Sequence, residues 1–268
     1  MKRPCNLVSQ TNQILKKEFH RIPLKINNYN EMKTFKHLVL LTLVMAVGIG
    51  TAIAGGSDIT ENRKVESFNA VKVSSGIDLY LTMDASEEVK VVADDDVIDR
   101  LKTEVKDGTL HIYLKQNDWF NWKSGNRTRK VYVKVKELKE LRASSGSDVY
   151  CENTLKGDAL KVSASSGSDV NLNVFYKNLS IDTSSGSDAK AKGKVKFLDV
   201  EASSGSDIKA HDLESKICKA RASSGSDISV NVSDEIYAKA SSGADIKYYG
   251  SPQIRDTDES SGGDLRQK

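Results

Sequence analysis

Ala202-Ser203-Ser204-Gly205-Ser206-Asp207-Ile208-Lys209-Ala210 decides the fold. Its pentapeptide Ser-Ser-Gly-Ser-Asp, or a close variant, starts at Ser144, Ser165, Ser184, Ser203, Ser223, Ser241 and Ser260. The copies recur with a period of about 19 residues, the signature of a repeat architecture. Alternation flanks the copies: Leu160-Lys161-Val162-Ser163-Ala164 before one, Val170-Asn171-Leu172-Asn173-Val174 after it. Period two means strands with one buried face. A unit this short cannot bury its apolar face alone, but stacked copies can, each strand pairing with its equivalent about 4.8 Å away. The expectation is an all-β, single-stranded parallel β-helix of about 19-residue coils, filled by Val, Ile, Leu and Ala. Ala143, Ala164, Ala202, Ala222 and Ala240 sit beside the motif, where a coil narrows.

A helical solenoid fails, because Ser, Gly, Asp and β-branched residues are poor in helix interiors and no 3.6-residue apolar period appears. An antiparallel meander stays open, although it would have to repeat the pentapeptide at only every second turn. At 268 residues with 3 Pro and 3 Cys, collagen-like and disulfide-stapled architectures are excluded. Aromatic residues are scarce at 6%, which fits a thin aliphatic column.

Residues 65–142 alternate without repeating, with a stray motif copy at Ser74-Ser75-Gly76-Ile77-Asp78. Asp107-Gly108 between Thr103–Val105 and Leu110–Leu114 signals a hairpin. These residues read as irregular coils that cap and start the solenoid, with regular coils over 143–264, all within one domain over 55–268. From Lys33, two lysines precede the apolar run Leu38–Ala54, which ends in Ala52-Ile53-Ala54. That is the pattern of a secretory signal peptide over 32–54, cleaved after Ala54. The run is at the short edge for a membrane span, and its second half is rich in Gly, Ala and Thr. Residues 1–31 are read as lying upstream of a true start at Met32, or as disordered. Export places the chain in the periplasm, the outer cell envelope or outside the cell. There Cys151 and Cys218 are read as two free, inward-facing small side chains, since stacked coils would hold them too far apart to pair.

Charge narrows the partners. Residues 1–54 hold 8 basic and 2 acidic residues, leaving 32 basic and 35 acidic in the remainder, a net of −3. A nucleic-acid binder would want a basic body, so no nucleic acid is expected, and no membrane span once the leader is gone. Asp148, Asp169, Asp188, Asp207, Asp227, Asp245 and Asp264 would line one edge, a coil spacing apart. Like charges so close call for backbone donors or interposed cations. The first five are the cation candidates, although the nine-residue period of calcium β-rolls is absent and no metal site or cofactor is assigned. The bland reading makes the motif a corner: Gly at positive φ, with Ser and Asp bonding nearby backbone. A column of equivalent acids is the opposite of a catalytic pair, which needs two environments. His111 and His211 stand alone, and no nucleophile elbow or phosphate loop is present. A polysaccharide-active enzyme on the same scaffold is the alternative to a non-enzymatic binding module. Trp119, Phe120, Trp122 and Arg127 fall in one loop, where aromatic rings beside Arg suit sugar stacking or a protein partner, or simply cover an open edge.

The leading Phe68-x-x-Val71-x-Val73-Ser-Ser-Gly-Ile-Asp78-Leu79, the Asp107-Gly-Thr-Leu110 hairpin, the serial pentapeptides and Tyr248-Tyr249-Gly250-Ser251-Pro252 resemble the head GIN domain family. These are exported, auto-transporter adhesin-type proteins. The resemblance covers about residues 65–265. It implies a right-handed β-helix with irregular first coils, an adhesin-like or structural role at the cell envelope, and no catalytic residues. A cell-surface glycan or protein is the expected partner, and stacking of coil ends would allow a homo-oligomer.

Overall fold

The computed structural model describes residues 58–115 and 127–268. The chain falls into two units, Met1–Gly55 and Gly56–Lys268, and every described residue belongs to the second. The leader, residues 1–31 and the loop tryptophans lie outside the described residues.

In chain order the elements are β1 (Ile59–Arg63), β2 (Ala70–Val73), β3 (Asp78–Met83), β4 (Glu88–Ala93) and the short helix α1 (Asp95–Ile98). There follow β5 (Leu101–Lys106), β6 (Thr109–Leu114), β7 (Arg129–Val135), β8 (Glu140–Ala143) and β9 (Val149–Cys151). The regular coils are β10 (Leu155–Ser165), β11 (Asp169–Ser184), β12 (Asp188–Ala202), β13 (Asp207–Ala222) and β14 (Asp227–Ser241). The last are β15 (Asp245–Tyr249), β16 (Gln253–Ser260) and β17 (Asp264–Gln267).

From β8 onward every pairing is parallel and joins equivalent positions of successive coils. This is the parallel β-solenoid that the repeat predicts, and the meander is excluded. The register stacks like on like: Leu160, Leu179, Leu198, Cys218 and Ile236 form one inward column. Val162, Ile181, Val200, Ala220 and Ala238 form the next, and all ten are at most 2% exposed. Cys151 and Cys218 are unpaired thiols, as expected, with Cys218 inside the core and burial holding the Cys151 thiol up at about 11.

The pentapeptide forms the corner. At all eight copies, the stray one included, both its second Ser and its Gly have positive φ, 57° and 65° at Ser185 and Gly186. Two consecutive left-handed residues turn the chain tightly, so Ser shares the strain that the sequence assigns to Gly alone. Its third Ser points inward and is 0% exposed at Ser147, Ser168, Ser187, Ser206 and Ser226. The Ser187 hydroxyl accepts the Ser184 N–H at 3.1 Å and faces two carbonyl acceptors at 2.8 Å, Ser184 in its own turn and Ala164 on the previous coil. From Gly146 to Gly243, each Gly N–H donates to the second Ser carbonyl of the next coil, as Gly186 does to Ser204 at 3.2 Å. The corner is therefore itself a hydrogen-bonded ladder, with no buried hydroxyl left unmatched at Ser187.

Spatial and chain order differ at the N-terminal end. The coil made by β2 and β3 lies between β6 and β7 on one side and β8 and β9 on the other. The motif copy at 74–78 thus belongs to the corner ladder, its Gly76 N–H bonding the Ser145 carbonyl at 3.0 Å. Beyond it, β4 runs antiparallel to β7 and to β1, and β5 to β6 through a turn with positive φ at Asp107 and Gly108. These irregular strands close that end of the apolar column.

Candidate functional site

Period-two strands send every second side chain outward, so the outer surface is also a set of columns. The sequence-predicted Asp column exists: Asp169, Asp188, Asp207, Asp227, Asp245 and Asp264 are register partners on successive coils. Cations are supplied from within the chain. Lys209 lies 3.4 Å from both Asp188 and Asp207, Lys247 reaches Asp227 at 4.0 Å and Asp245 at 3.9 Å, and Arg266 pairs with Asp264. Among the described residues no group of three or more His, Cys, Asp or Glu side chains could hold a metal ion. At the other end of the column the residues two positions on are Tyr150 and Asn171 instead of lysines. Partial desolvation, then Asp148 and Asp188 as neighbours, raise the Asp169 carboxyl above its usual range, offset in part by the Asp188 backbone N–H.

A raised carboxyl pKa means that the folded state binds the proton more tightly than the unfolded chain. The charge at Asp169 therefore costs stability above its folded pKa, and that cost fades as pH falls through it. Asp169→Asn is expected to raise the midpoint of thermal unfolding at pH 7 and to make little difference near pH 3. An equal shift at both pH values would exclude the electrostatic cause.

Arg127 is held just before β7 by Asp96 of α1 at 2.8 Å and by Asp94 at 3.9 Å. Trp119, Phe120 and Trp122, its expected companions, lie outside the described residues. A tyrosine ladder lies on the outer face: Tyr132, Tyr80 and Tyr150 stack at ring separations of 4.8 and 5.3 Å, with the Lys90 ammonium 4.4 Å over Tyr132.

A groove that sequence reasoning missed lies elsewhere. With a volume of about 1130 Å³, it runs along the side of the solenoid from Leu138 to Asp256. It crosses the coils of β10 to β14 and reaches β16, roughly 25 Å at one coil per 4.8 Å. Its apolar surface comes from Phe197 and Ile217, outward neighbours of the inward residues Leu198 and Cys218. Tyr237, 37% exposed, and Ala159 extend it. One end is shaped by Tyr176, whose hydroxyl donates to the Leu138 carbonyl at 3.0 Å and whose ring fills the space over Gly157. A side chain at 157 would meet that ring at 2.6 Å, so the groove end requires Gly there.

The polar wall carries Lys161, Asn178, Ser180, Asp199, Lys219, Arg221 and Lys239. Arg221 is locked to Glu201 at 2.8 Å and Asp199 at 3.1 Å, whereas Lys219 has no ion pair among the described residues. The sequence signals that could have found the groove are Phe197-Leu198 and Ile217-Cys218. Each breaks strict alternation by placing an apolar residue on the outside. An open, elongated channel with aromatic and aliphatic patches between hydrogen-bonding side chains suits an extended ligand lying along the solenoid axis.

Solved structures with this architecture come from Bacteroides and Parabacteroides species. A "putative adhesin" from Bacteroides fragilis superposes with a TM-score of 0.71 at 22% identity, covering 79% of this chain and 97% of its own. A "putative adhesin" from Parabacteroides distasonis gives 0.65 at 21%, covering 80% and 98%. A "putative lipid binding protein" from the same species gives 0.60 at 22%, covering 79% and 98%. At such identities the likeness concerns the fold. No curated protein matches the chain. The profile of one family does match, over residues 67–252. With the serial corners and irregular first coils in place, the chain belongs to the family described as "Putative auto-transporter adhesin, head GIN domain".

Proposed function

We propose that this protein is an exported, non-enzymatic recognition module of the cell envelope, whose lateral groove holds an extended ligand, a glycan chain in the first instance. The observation that carries the reading is the groove itself, in which Phe197 and Ile217 stack on adjacent coils beside a parallel column of Ser180, Asp199, Lys219 and Tyr237. Sugars present both apolar C–H faces and hydroxyls, and an apolar column beside a polar one matches both. The adhesin description of the family supports a role at a surface, and the leader-like stretch over 32–54 supports export.

Binding is tested on a glycan array followed by calorimetry. Phe197→Ala is expected to weaken a groove ligand about tenfold, equivalent to about 1.4 kcal/mol, with the unfolding midpoint little changed because the ring is half-buried at the surface. A reducing-end assay on the same glycans is expected to stay flat. Release of product, abolished by a single Asp→Asn change in the groove, would replace this reading with that of a polysaccharide-active enzyme.

A further inference from the structure

We propose that the ligand of the groove is an anionic linear glycan, its acid groups read by a column of three lysines along the groove edge. This rests on the groove reading above and adds the ligand's charge. Tyr176 pairs with Val195 and Asn178 with Phe197, which places Lys177 beside Lys196 on the next coil. Lys194 pairs with Glu214 and Phe197 with Ile217, which places Lys216 beside Lys196 on the following coil. Lys177, Lys196 and Lys216 thus stand in register, each immediately before the groove residues Asn178, Phe197 and Ile217.

All three are exposed, and none has a carboxylate partner among the described residues. Lys196 instead lies 5.0 Å over the Phe197 ring. Several other stacked charges are compensated: Lys209 and Lys247 interleave part of the Asp column, and Lys194 meets Glu214 at 2.9 Å. Three adjacent ammonium groups about one coil spacing apart repel one another, which favours a bound polyanion. The coil spacing of about 4.8 Å is close to the advance of one pyranose unit in an extended chain. One carboxylate or sulfate per sugar can therefore meet one lysine per coil, while the sugar faces rest on Phe197 and Ile217. The groove-lining carboxylates Glu137, Asp158, Asp199 and Asp256 disfavour a polymer as densely charged as nucleic acid.

The test compares oligogalacturonate, oligomannuronate and hyaluronan fragments with their methyl esters, which keep the sugar and lose the charge. The acids are expected to bind at least about tenfold more tightly at low salt, with the advantage shrinking as ionic strength rises. The triple variant Lys177→Gln/Lys196→Gln/Lys216→Gln is expected to lose that advantage, with a melting midpoint no lower than that of the parent and binding of the esters intact. The corresponding triple Lys→Arg variant should keep it. Equal binding of acids and esters, or binding confined to neutral glycans and still lost in Phe197→Ala, overturns the charge inference and leaves the groove reading standing. Equal binding to phosphatidylglycerol vesicles or single-stranded DNA also overturns it, because the lysines would then be an unselective cationic surface. Absence of binding to any glycan removes both.

Discussion

Gly193→Ala is expected to destabilise the solenoid by about 4 kcal/mol, the sum of backbone strain and forced displacement of a neighbouring strand. Gly193 sits inside β12 at φ 117°, a conformation open to glycine and strained for alanine. Its register partner on the previous coil is Val174, and a Cβ at 193 would overlap the Val174 carbonyl oxygen. That oxygen belongs to the backbone of the adjoining coil, so it cannot move without parting the two. Gly186→Ala makes the contrast. Its φ of 65° is also left-handed, but a Cβ there meets nothing within 4 Å. The expected cost is about 1 kcal/mol, from the conformation alone. Urea unfolding of both variants separates the two causes. If they lose stability equally, close coil approach at Gly193 is not what selects glycine there.

The corner motif shows why so much of this fold is legible in its sequence. A solenoid repeats one local solution, so each pentapeptide restates the same turn, and alternation on either side states which face is inward. Leu160, Leu179 and Leu198 occupy one column because the same step separates them in the chain. Where steps vary, the structure absorbs the difference in bulges. The step from Ser203 to Ser223 is longer than the one from Ser184 to Ser203, and it accompanies a register shift between Lys190 and Lys192. The placement of the 70–83 coil between later segments was not legible. It depends on which edge of the stack the antiparallel strands β4 and β7 cover, a long-range choice that no local pattern encodes.

The site was less legible for a related physical reason. Repetition makes a motif conspicuous, so the Asp column draws attention, yet its charges are largely neutralised by Lys209, Lys247 and Arg266. The groove is made by departures from the repeat instead. Outward positions that are Ala159 and Asn178 on two coils become Phe197 and Ile217 on the next two. Such substitutions look like noise within a strand and acquire meaning only when stacking sets them side by side. The lysine column is of the same kind, since Lys177, Lys196 and Lys216 lie a full coil apart in the chain and are unremarkable individually.

Removing one whole coil should be tolerated where removing one residue is not. Deletion of 188–206 takes out the chain from one corner Asp to the residue before the next, and joins Ser187 to Asp207. Asp207 then takes the place of Asp188, and Val200's neighbours Ile181 and Ala220 come into direct register. Because stability in a solenoid is close to a sum of coils and nearest-neighbour interfaces, the shortened protein is expected to fold cooperatively with lower stability. Solution scattering should show a solenoid shorter by about 4.8 Å. Deletion of Ser180 alone moves Asp182 into the inward column between Val162 and Val200 and turns Ile181 outward. A carboxylate placed there is unpaired and costs several kcal/mol, and every inward residue up to the corner is exchanged for an outward one. The corner cannot take up the slip, since the Gly186 N–H is already bonded to Ser204 and the Ser187 hydroxyl to Ala164. Far-ultraviolet dichroism and urea unfolding are expected to show the whole-coil deletion folded and the single deletion largely unfolded. The reverse ranking would mean that coils are not interchangeable units, and that the corners do not set the register.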